Sequence, residues 1–122
     1  MPTRELDDDE VSSFDHISDG LCRRVKLIRT NLLPPAADGM TIGRFVFLRS
    51  DVNRDGTREL LAHELVHVRQ YAEYGLVGFL MRYLRDYVRG LWTHKRHRAA
   101  YLAIPAEVEA REEAHRWKLA RP

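Results

Sequence analysis

The chain has 122 residues, of which 44% are hydrophobic and 31% charged, with a formal net charge of +2. That length suits one domain around a single core, and the composition is that of an ordinary soluble globular protein. The small positive charge permits an acidic partner without demanding one. The single cysteine, Cys22, excludes an internal disulfide and a cysteine-rich zinc site, so any zinc site must use histidine and carboxylate.

Residues 1–20 are polar and acidic and end at Asp19-Gly20. They are expected to form a loose arm or short cap ahead of a domain at 21–122. They lack the apolar core of a secretory signal. From Cys22 to Thr30, Val25 and Leu27 share a face although Ile28 breaks the alternation, which predicts a strand. Pro34-Pro35 and Asp38-Gly39 mark a loop. Met40–Leu48, rich in β-branched and aromatic residues, is the best strand candidate. Asp51–Gly56 copies the first half of a calcium loop. Its twelfth position, where a bidentate glutamate belongs, is Ala62, so a simple turn is favoured.

A helix is expected from an N-cap at Thr57 to about Gly75, with Leu61, Leu65, Val68 and Ala72 at helical spacing. A second, amphipathic helix runs over 76–92, with Leu76, Phe79, Leu80, Tyr83, Leu84, Tyr87, Val88 and Leu91 on its apolar side and arginines opposite. In so small a domain that stripe is expected to be needed for the core. Arg82, Arg85, Asp86 and Arg89 interrupt it, so it cannot span a bilayer. Thr93–Arg98 reads as a basic connector. Pro105 sits where a third helix, over 106–118, can begin. The sum is an α+β domain, a small sheet followed by three helices. The lone thiol suits a reducing compartment, and with no secretory signal or membrane span the expectation is a cytoplasmic protein.

His63-Glu64-Leu65-Val66-His67 is a His-Glu-x-x-His motif. Residues four apart share a helix face, about 5–6 Å between Cβ atoms, so both imidazoles can reach one zinc ion. Glu64 points about 100° round the helix, close to a metal-bound water without displacing it. Zinc acidifies that water and polarises a carbonyl, and Glu64 can accept the proton and pass it to the leaving amine.

A catalytic zinc usually takes three protein ligands. The histidine extension of metzincins is missing, because 68–75 holds no histidine. A carboxylate is therefore sought in Pro105-Ala-Glu107-Val-Glu109-Ala110. Glu107 falls on a stripe with Ala103, Ala110, Ala114 and Trp117, where a carboxylate needs a partner. Glu109 lies about 200° further round, near Glu112, Glu113 and Arg116. The spacing favours Glu107 and leaves Glu109 as the alternative.

Leu-Leu-Ala-His63-Glu64-Leu-Val-His67-Val-Arg-Gln70, followed by Pro105-x-Glu107-x-Glu109-Ala110, resembles the gluzincins and, more narrowly, the bacterial minigluzincins and related small peptidase-like domains. The resemblance covers roughly residues 39–117. It implies an active-site helix with both histidines, a glutamate helix supplying Glu107, and a substrate-binding edge strand at Met40–Leu48. Gluzincins also carry an aspartate four residues after the ligand glutamate, which supports a ligating histidine. Here that position is Arg111, so another carboxylate would have to serve. The resemblance implies a tyrosine or histidine at the oxyanion, for which Tyr101 is the candidate. It further implies that residues 1–20 or the C-terminal tail could cover the cleft of a latent form.

The expectation is thus a zinc-dependent peptidase acting on a peptide or protein substrate, with His63, His67 and Glu107 as ligands and Glu64 as general base. The alternative is a latent or non-catalytic zinc-binding domain acting as a protein or nucleic-acid interaction module. Lys95-Arg96-His97-Arg98, with Arg82, Arg85 and Arg89, reads as solvated surface in preference to a nucleic-acid or anionic-membrane contact. His94 and His97 read as surface residues, and His16 and His115 carry no pattern. Cys22 reads as a small buried residue in preference to a thiolate on zinc.

Overall fold

The computed structural model describes residues 3–35, 37–51 and 54–121, with the backbone alone at 54–57. Its elements are β1 (Thr3–Glu5), α1 (Asp8–Ser13), α2 (Asp19–Arg24), β2 (Lys26–Arg29), β3 (Gly39–Ile42), β4 (Phe45–Leu48), α3 (Arg54–Tyr74), α4 (Leu76–His94), α5 (His97–Ala103) and α6 (Pro105–Leu119). The architecture is α+β, as the sequence predicts. The sheet order is β1-β2-β4-β3, with β2 and β4 parallel and the two outer pairings antiparallel. One sheet face is apolar by alternation: Leu27, Val46 and Leu48 are buried, while Phe45 is exposed and Phe47 half-buried. α3 lies between the sheet and α6, and Leu61, Leu65, Val68, Ala110, Ala114 and Trp117 complete the core.

Residues 3–20 are not a loose arm. β1 pairs with β2, and Leu6, Val11, Phe14 and Ile17 enter the core. The acidic residues that suggested an arm serve local structure. Asp7 and Glu10 form a capping box on α1, and Arg4 joins Glu10 to Asp51 at 2.6 and 2.7 Å. Phe14 stacks on Trp117 of α6 with ring centroids 4.9 Å apart.

The strand expected at 22–30 is shorter, because Ser18 caps α2 and draws Cys22 into that helix. Met40–Leu48 is a hairpin, not one strand. Gly43, at φ 63°, allows the two-residue turn Gly43-Arg44. α3 starts at Arg54, which puts Thr57 inside the helix and not at its cap and makes 54–56 helical where a turn was expected; the 52–53 part of that turn lies outside the described residues. Gly75, at φ 74°, separates α3 from α4 as expected. The supposed basic connector is mostly helical: α4 runs to His94, and α5 begins at His97. Between them Lys95 adopts the left-handed conformation that stops a helix. Pro105 occupies the first turn of α6, as anticipated.

The largest departure is α4. Phe79 and Gly90 are its buried residues, while Val77, Leu80, Met81, Leu84, Val88 and Trp92 are exposed. The sheet, the N-terminal helices and α6 already enclose α3, so α4 meets the rest of the fold through one narrow face. That face is tight at Gly90, where a Cβ would stand 3.0 Å from the Ala100 Cα. No helix among the described residues is long and apolar enough to cross a membrane.

Integration of the N-terminus has a measurable consequence. Phe14→Ala is expected to cost about 3–5 kcal/mol in denaturant-induced unfolding. A loss below about 1 kcal/mol would return residues 3–20 to the status of an arm.

Candidate metal centre

α3 carries His63, Glu64 and His67 on consecutive turns, and α6 brings Glu107 against them. His63 Nε2 and His67 Nε2 lie 3.0 and 3.1 Å from the same oxygen, Glu107 Oε1. One donor atom from each residue falls within 4.8 Å of the others, a grouping that could hold a metal ion. Glu107 lies on the buried stripe of α6 with Ala110, Ala114 and Trp117, whereas Ala103 is exposed at the end of α5.

Glu109 does not join the cluster. Its Oε1 accepts from Arg69 at 2.8 Å and from Gln70 Nε2 at 2.8 Å. Cys22 is also elsewhere, buried near the carbonyls of Phe14 and Ile17, where burial pushes its thiol up to about 11. His94 is exposed, and His97 Nδ1 is 2.6 Å from the Tyr87 hydroxyl.

The electrostatics are those of a buried carboxylate held ionised. Burial acts to raise the Glu107 pKa, but hydrogen bonds from His63, His67 and Tyr83 outweigh it and hold the carboxyl well below the usual range. For His67, burial lowers and the Glu107 carboxylate raises, with a net upward shift. Glu64 differs: burial dominates and its pKa is raised. Thr41 Oγ1 of β3 donates to Glu64 Oε1 at 3.2 Å.

Residues that sequence reasoning did not single out complete the arrangement. The Tyr83 hydroxyl donates to Glu107 Oε2 at 2.6 Å. Its spacing from Phe79 marked it as part of an apolar stripe, and nothing local distinguished its polar end. Gln70 takes the supporting role for which a carboxylate was expected. Its Oε1 is 2.7 Å from His67 Nδ1, while its Nε2 donates to the Ala106 carbonyl and to Glu109. With both amide hydrogens so used, Oε1 must accept from His67 Nδ1–H, which leaves Nε2 turned toward Glu107. The i, i+3 spacing from His67 was the available signal. Arg111, standing where the resemblance puts an aspartate, instead donates to the Leu102 carbonyl at 2.6 Å.

His63 and Glu64 line a cleft of about 1000 Å³, together with Gly39, Tyr101 and Arg111. Neither residues 3–20 nor 116–121 contribute to its walls among the described residues, so neither segment covers it as a latent form would require. Gly39 lets β3 approach closely: a Cβ there would stand 3.4 Å from Glu64 Cγ. Burial pushes the Tyr101 phenol up to about 12.

Residues 30–75 match a family model, the eCIS core domain. That is a small domain of extracellular contractile injection system proteins. The match spans β3, β4 and all of α3, including both histidines, Glu64 and Gln70, but stops short of Tyr83 and Glu107. No curated protein and no solved structure matches the chain.

If Gln70 orients His67, Gln70→Leu is expected to weaken divalent transition-metal binding about 10–100-fold in a competition titration with a chromophoric chelator. Unchanged affinity would remove Gln70 from that role.

Proposed function

We propose that this domain is a zinc-dependent peptidase of gluzincin type, with His63, His67 and Glu107 as ligands and Glu64 as general base. The observation that carries the reading is the convergence of those three donor groups from two helices within 4.8 Å, beside a buried glutamate at an open cleft. The donor set fits zinc, which favours imidazole nitrogen and carboxylate oxygen and in catalytic sites takes three protein ligands. Bound there, zinc would supply Lewis acidity, acidifying water and polarising a peptide carbonyl.

The chain's own groups do the rest. Glu64, with its pKa raised by burial, is suited to take a proton from the attacking water and return it to the departing amine nitrogen. Gln70 and Tyr83 hold His67 and Glu107 in register. β3 is an edge strand next to Glu64, so an extended peptide or protein segment can add to it by main-chain hydrogen bonds. Tyr101, protonated at neutral pH and lining the cleft, is the donor for the developing oxyanion.

Glu64→Gln is expected to retain stoichiometric zinc by elemental analysis and to lose at least about a hundredfold in hydrolysis of a fluorogenic peptide library. A chelator should abolish the wild-type rate. Full activity in the variant removes Glu64 from the mechanism. A wild-type protein with one zinc and no cleavage favours the non-catalytic interaction module.

A further inference from the structure

Val77, Leu80 or Met81, Leu84, Val88 and Trp92 recur every three or four residues, and all six are exposed, Val77 at 71% and Trp92 at 82%. They form one apolar stripe on the outward face of α4, about 22 Å long at 1.5 Å per residue. Single exposed hydrophobics are ordinary, but a continuous row marks an interaction surface.

The flanking charge identifies the surface this row fits. Arg82, Arg85 and Arg89 follow the stripe along one side, and Lys95, Arg96 and Arg98 extend the cationic surface past the helix end; all six are exposed. Asp86, the one acidic residue of α4, is half-buried and lies 3.3 Å from Arg85. Trp92 stands at the end of the stripe with Lys95 Nζ 5.6 Å from its ring centroid. Apolar side chains along one line, arginines beside them and an amphipathic aromatic at the end match the boundary between acyl chains and anionic headgroups. A second copy would bring arginine flanks together with no carboxylate on this face to answer them. Nucleic acid would use the arginines but leave the apolar row without a partner.

We infer that α4 docks the protein side-on to an anionic lipid surface, with the stripe at the headgroup–acyl boundary and the arginines on lipid phosphates. The inference is independent of the peptidase reading, because Phe79, Tyr83 and Gly90, which face the fold, take no part in it.

The test uses the full chain with vesicles of phosphatidylglycerol and phosphatidylcholine, and with vesicles of phosphatidylcholine alone. Co-sedimentation with the anionic vesicles is expected, with a blue shift of tryptophan emission that disappears in Trp92→Phe; the second tryptophan, Trp117, is already buried. Replacing Arg82, Arg85 and Arg89 together by glutamine should lower the partition coefficient on the order of a hundredfold. Leu84→Asp should also weaken binding, and both variants, altered at exposed positions, should keep the wild-type circular dichroism and Tm. No binding to anionic vesicles at low salt overturns the inference, as does binding without a Trp92 shift. A concentration-dependent dimer that Leu84→Asp dissociates, with no vesicle binding, assigns the face to a second copy instead.

Discussion

The structure turns on a carboxylate buried between two helices. Glu107 occupies the apolar side of α6, in line with Ala110, Ala114 and Trp117, where an unpaired charge would cost several kcal/mol even after relaxation. His63 and His67 on α3 and Tyr83 on α4 pair it, and their geometry leaves little freedom in how α6 sits against α3. Near the edge of the same interface, Arg69 reaches Glu109 and Glu113, and Gln70 reaches the Ala106 carbonyl. The helix interface and the candidate metal cluster are therefore built from the same contacts.

One helix supplies most of the candidate site because α3 is packed on two sides. Its apolar positions Leu61, Leu65 and Val68 are held by the sheet and α6, so the intervening His63, Glu64 and His67 sit on a rigid element. The environments of the two glutamates diverge for a physical reason. Glu107 has two imidazoles and a phenol as partners and stays ionised, whereas Glu64 has the Thr41 hydroxyl as its hydrogen-bond partner and is governed by burial. Opposite shifts in neighbouring carboxyls suit the different roles proposed for them.

α4 joins this site to the surface. Its inward side places Phe79 against Tyr71 and the Tyr83 hydroxyl on Glu107, while its outward side is apolar and cationic. A helix can serve both ends because successive residues turn about 100°, so the stripe at 77, 81, 84 and 88 and the contacts at 79, 83 and 90 occupy different faces. The sequence displays both sets as one apolar pattern, and only the packing separates them.

Periodicity and local chemistry determined a good deal from the sequence alone: the His-Glu-x-x-His helix, the break at Gly75, the start of α6 at Pro105, the α+β class and the inward placement of Glu107 in preference to Glu109. Each of these follows from spacing along one segment or from a residue whose backbone is restricted. Tertiary structure decided what depends on distant neighbours. Acidic residues hid the core role of Leu6, Val11, Phe14 and Ile17, because burial depends on what packs above a segment and not on its own charge density. Gln70 rather than a carboxylate supports His67, and Tyr83 completes the Glu107 contacts, because both depend on how three helices meet. Whether the α4 stripe is interior or surface was likewise settled only by how much of α3 the other elements had already covered.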